Sequence, residues 1–101
     1  MKIPLTQVSI IAEGVLRDHI VELVHKHGAT GHTITQVEGE GSSHRHASDW
    51  GGRNIKVETL VSQEVADAII ENLSHEFFED YSVIAWLTQV NVLRGSKFLK
   101  R

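Results

Sequence analysis

Cysteine is absent from the 101 residues, which removes disulfides, thiolate catalysis and cysteine–zinc sites at once. No stretch approaches the ~20 consecutive apolar residues of a membrane-spanning helix. The opening residues, Met1-Lys2-Ile3-Pro4-Leu5, have no secretory-signal pattern. A cytoplasmic protein is expected. Neither sign of charge dominates: ten Lys and Arg stand against thirteen Asp and Glu, for a net charge of −3. Nonspecific nucleic-acid binding needs a basic field, so no nucleic-acid partner is expected. No nucleophile, base and orienting acid can be assembled from the sequence. Serines and histidines share one glycine-rich stretch with nothing to orient them, and binding rather than catalysis is expected.

What is present fits one domain over residues 1–101, with 41% hydrophobic residues for a modest core. Val8 to Ala12 is short, apolar and β-branched, as in a buried strand. Leu16, Ile20, Leu23 and Val24 recur at helical spacing, and Gly28 stands where a helix stops. Thr33 to Val37 alternates as a second strand. Residues 38–53 have no apolar period and contain four glycines, which makes a long loop. Loops beyond about 12–15 residues in a compact domain are usually functional or disordered. Asn54 to Val61 alternates again. Ser62 can cap a helix whose stripe is Ala66, Ile69, Ile70, Leu73 and Phe77, and Val83 to Leu93 forms a last, long strand.

The order is βαβ, loop, βαβ. The halves also match at an offset of about fifty residues: Val15 with Val65, Ile20 with Ile70, Leu23 with Leu73, His25 with His75 and Ile34 with Ile84. A βαβ unit written twice predicts the α+β, ferredoxin-like βαββαβ fold, with an antiparallel sheet and both helices on one face. Thr59, Val61, Trp86 and Val90 are expected on the other face, too apolar to be left bare. Self-association is the simplest cover.

The most informative stretch is Gly31-His32-Thr33-Ile34-Thr35-Gln36-Val37-Glu38-Gly39-Glu40-Gly41. Glycines after a strand allow backbone amides to approach an anion. The stretch resembles the PII signalling family, whose second strand reads Gly-x-Thr-Val-Thr-x-Val-x-Gly-x-Gly before a long mobile T-loop. Ile55-Lys56-Val57-Glu58 is similar to its third strand. Gly39-Glu40-Gly41-Ser42, Phe78-Glu79-Asp80-Tyr81 and Val92-Leu93-Arg94-Gly95 resemble the PII-like branch linked to inorganic carbon, the SbtB and carboxysome-associated types. The likeness covers roughly residues 6 to 98.

The resemblance implies a homotrimer with an adenine nucleotide in each cleft between subunits. Carried over by position, adenine would meet Ile11, Thr33, Gly39, Gly41, Glu58 and Leu60, with Val83, Ile84 and Ala85. Phosphate would meet Ser42, Ser43, Arg45 and His46 in the T-loop at about 38–53 and Arg94 and Lys97 near the end. Bicarbonate is implied as a second anion. A bicarbonate transporter in the membrane or a carboxysome component is implied as the regulated partner. The Gly-Lys loop of nitrogen-type PII proteins is missing, as is the T-loop tyrosine, and Arg45 is displaced by one from the arginine positions of SbtB-type loops. These departures favour AMP, cyclic AMP or ADP over ATP and count against a nitrogen-type role.

Three further features invite a functional reading. Trp50, flanked by Asp49, Gly51 and Gly52, is either a partner-binding anchor or folded back on its domain. His25 and His27 are two apart on a helix and do not face each other. His44 and His46 could bind zinc or copper or simply titrate, and no metal is assigned. A trimeric metal-binding protein of the divalent-ion tolerance type shares the architecture and is the rival function.

Overall fold

The computed structural model describes residues 1–39 and 53–98. Four strands and two helices follow one another as β1 (Lys2–Glu13), α1 (Arg17–Lys26), β2 (Thr33–Val37), β3 (Asn54–Val61), α2 (Gln63–Phe77) and β4 (Ile84–Leu93). The strands form one sheet in the order β2-β3-β1-β4, and every neighbouring pair is antiparallel. This is the expected ferredoxin-like arrangement.

Strand periodicity divides the sheet into two faces. Val8, Ile10 and Ala12 of β1 and Ile55, Val57 and Val61 of β3 are buried under the helices. They pack against Ile20, Leu23 and Val24 of α1 and Ala66, Ile69, Leu73 and Phe77 of α2, the stripes read from the sequence. Ser62 caps α2 by accepting a hydrogen bond from the Val65 N–H at 3.2 Å. Gly28 ends α1 at φ 122°, a conformation that a β-carbon disfavours. A polar network locks α2 to the sheet: Thr6 Oγ1 donates to Gln63 Oε1 at 3.0 Å, and Gln89 Nε2 donates to the same oxygen at 2.9 Å.

Three expectations are corrected. Strand β1 runs over twelve residues rather than from Val8 to Ala12. Its first residues pair only with β4, since β3 ends opposite Thr6, and Pro4 therefore sits as on an edge strand. Thr59 and Val61 point toward the helices and not to the open face. Val61 belongs to the core and Thr59 Oγ1 donates to the Gly31 carbonyl at 2.6 Å. The open face does carry Trp86 and Val90, opposite Ser9 and Leu5 in the register. The match of Ile34 with Ile84 fails in space: Ile34 packs against the core, while Ile84 is 59% exposed.

After β4 the chain turns back on the sheet. Arg94 takes φ 61° and reverses the chain. Gly95 then lies so close to β1 that a β-carbon there would stand 3.0 Å from Ile3 Cβ. The 3-10 turn Gly95–Phe98 that follows carries Lys97 and Phe98 back across the open face.

Candidate functional site

The open face is built from the residues that alternate with the core. Gln7, Ser9 and Ile11 of β1 stand beside Leu60, Glu58 and Lys56 of β3, and Thr33 of β2 pairs with Glu58. Gln7 Nε2 donates to Glu58 Oε2 at 3.1 Å, and Lys56 Nζ lies 3.7 Å from the same oxygen. The carboxylate is thus held in place while remaining part-exposed.

Around it lies a groove of about 430 Å³. Its walls come from the α1–β2 connection (Thr30, Gly31, His32), from Thr33, from Gln7 of β1, from Glu58, Thr59 and Leu60 of β3, and from Lys97 and Phe98. Four predicted residues, Thr33, Glu58, Leu60 and Lys97, meet here. Lys97 Nζ stands 5.6 Å from the Phe98 ring centroid. Apolar walls from Leu60 and Phe98, a fixed carboxylate that accepts hydrogen bonds, a threonine hydroxyl and one ammonium suit a flat, hydroxylated, anionic ligand.

The other predicted residues lie elsewhere. Ile11 pairs with Ile84 and Lys56, four residues along β1 from Gln7, or ~13 Å at strand rise. Gly39 follows β2, six residues beyond Thr33 and ~20 Å away if extended. Ile84 lies on the open face, but Val83 and Ala85 pack against the core, so their side chains are turned from it. Arg94 is exposed in its turn and does not line the groove. Gly41, Ser42, Ser43, Arg45, His46 and Trp50 fall outside the described residues. In one protomer the described residues therefore divide between the groove, with Thr33, Glu58, Leu60 and Lys97, and the other end of the sheet, where Ile11, Gly39 and Ile84 lie on or after three different strands.

The groove also contains Gln7, Thr30, Gly31, His32 and Phe98, which the sequence reading missed. Gln7 was readable in principle, because it alternates with Val8 and Leu5 borders it on the same face. Phe98 was not, because only the Arg94–Gly95 reversal brings it under the sheet.

A second groove of about 420 Å³ opens beside the first turn after β1, between Glu13, Val15, His19, Glu76, Phe77 and Tyr81. Glu13 is 3% exposed, and its Oε2 has no hydrogen-bond partner among the described residues.

Comparison with known proteins agrees with this architecture. The model of the family "Nitrogen regulatory protein P-II" matches residues 5–97. A PII-like signalling protein of Thermus thermophilus is 45% identical, with a TM-score of 0.84 over 97% of this chain and 98% of that one. CPII of Thiomonas intermedia K12, in a structure bound to ADP, AMP and acetate, is 26% identical, with a TM-score of 0.86 over 99% of both chains. The same protein bound to ADP and bicarbonate aligns at 28% identity, with a TM-score of 0.83 over 97% of both chains. By sequence and by fold, this chain belongs to the P-II family and is a PII-like signalling protein.

Proposed function

We propose that this protein senses adenine nucleotides at clefts between the subunits of a homotrimer and acts by binding, not by catalysis. The carrying observation is the groove that brings Thr33, Glu58, Leu60 and Lys97 together from three parts of the chain. The distance between the groove and Gly39, at opposite ends of the sheet, supports a cleft completed by a neighbouring copy, with the Lys97 end of one subunit facing the Gly39 end of the next. The exposed Ile84 and Trp86 on the open face support the same assembly. CPII, with ADP, AMP and bicarbonate in its structures, supports the ligand class.

Within this reading Glu58 accepts hydrogen bonds from ribose or the adenine amine, and Lys97 neutralises phosphate. The nucleotide would shift the segment at 40–52 between two states by binding them unequally. The regulated partner would be a bicarbonate transporter or a carboxysome component met in the cytoplasm.

Calorimetric titration with AMP, ADP, ATP and cyclic AMP, with and without bicarbonate, tests the reading. About one nucleotide per chain is expected. Lys97→Ala and Glu58→Gln should each weaken it by roughly tenfold or more, the usual effect of losing a hydrogen bond to a charged group. No binding of any of the four, or wild-type affinity in both variants, would sink the proposal.

A further inference from the structure

Two histidines that the sequence did not connect meet at the rim of the groove, which His32 also lines. His25 lies in the last turn of α1, and His32 lies just before β2. His25 Nδ1 is 3.0 Å from the Ala29 carbonyl oxygen, which can only accept, so this nitrogen carries a proton. His25 Nε2 is 2.8 Å from His32 Nδ1, and the rings stand edge-on at 79° with centroids 5.0 Å apart. In the neutral pair, Nε2 of His25 offers its lone pair and Nδ1–H of His32 donates to it.

The geometry points to a copper(II) site in which the ion replaces the shared proton between His25 Nε2 and His32 Nδ1. Two cis nitrogens at about 2.0 Å from a square-planar ion stand about 2.8 Å apart, the separation already present. In the hydrogen-bonded pair the His25 lone pair points at His32 Nδ1, so taking up the ion requires the two exposed rings to turn until both lone pairs meet at it. A backbone carbonyl on the far nitrogen of His25 selects the tautomer with a free Nε2 lone pair, as such partners do for metal-ligating histidines. His32 gives up its proton at Nδ1 and carries one at Nε2, so the neutral pair binds the ion with no net proton release.

The frame holding the pair is fixed. Gly28 N–H donates to the His25 carbonyl at 3.2 Å, Ala29 N–H to the Val24 carbonyl at 3.0 Å, and Thr59 Oγ1 holds the Gly31 carbonyl. Among the described residues no three histidine or acidic side chains converge. The remaining two positions of the ion therefore take water, and copper, at the top of the divalent affinity order, is the ion that two imidazoles hold best.

The test is titration of the full chain with copper(II) chloride, read by electron paramagnetic resonance and by copper-induced broadening of histidine ring signals in NMR. We expect a two-nitrogen copper signal at one ion per chain, with His25 and His32 broadened first. His25→Gln and His32→Gln should each weaken that signal at least tenfold, while the double variant His44→Gln, His46→Gln keeps it. The wild-type broadening pattern needs no variant and stands even if one substitution fails to fold. Absence of a two-nitrogen signal, broadening of other histidines first, or loss of the signal only in the loop double variant would overturn the site.

Discussion

Single residues set the ends of the elements that frame the groove. Gly28 sits at φ 122°, and an added β-carbon would meet Val65 Cγ2 at 3.0 Å. Gly28→Ala should therefore cost about 1–2 kcal/mol, seen as a lower urea midpoint with an unchanged slope. That glycine was legible because a helix stripe ended just before it. The need for Gly95 was not, because it arises from contact with Ile3, at the other end of the chain. His25 was read against His27, its neighbour in sequence, but its ring bonds to His32 across the turn. Spacing along a helix says which residues cannot meet, while the turn that follows decides which ones do.

At the scale of elements, both helices and strand β3 follow from period and turn signals. The apolar stripe of α2 is buried as expected, and Ser62 makes its cap. Ser62→Ala should lower stability by about 1 kcal/mol while leaving nucleotide affinity unchanged, since the cap lies on the helix layer. Chemical denaturation read alongside calorimetry checks both halves. Strand β1 was half legible. Its inner part, Val8 to Ala12, is a short apolar run, but the stretch around Pro4 becomes a strand only because β4 is long enough to pair with it. The turn Gly95–Phe98 carries no period of its own, and its place depends on the reversal at Arg94.

Over the whole molecule, the open face carries the clearest demand for a partner. Ile84 and Trp86 are 59% and 41% exposed there, in line with Val90. Trp86→Glu should convert a trimer to monomers in analytical ultracentrifugation while the helix-side core, and with it the helical circular dichroism, is kept. A trimer that survives the substitution would mean that subunits meet elsewhere, and the reading of clefts between subunits would lose its basis. The same loss of assembly should abolish nucleotide binding, because one chain gathers only Thr33, Glu58, Leu60 and Lys97 of the predicted residues in its groove.

The order of elements, the antiparallel α+β fold, the helix stripes and the P-II likeness were determined by the sequence itself. Burial period, caps and glycine motifs are local properties, and each is written within a few residues. The choice of face for Thr59 and Val61, the turn that brings Lys97 and Phe98 to Glu58, and the meeting of His25 with His32 were decided only by tertiary structure. A strand residue changes face with a one-residue shift in register. Long-range pairing between β1, β3 and β4 sets that register, and no local pattern carries it.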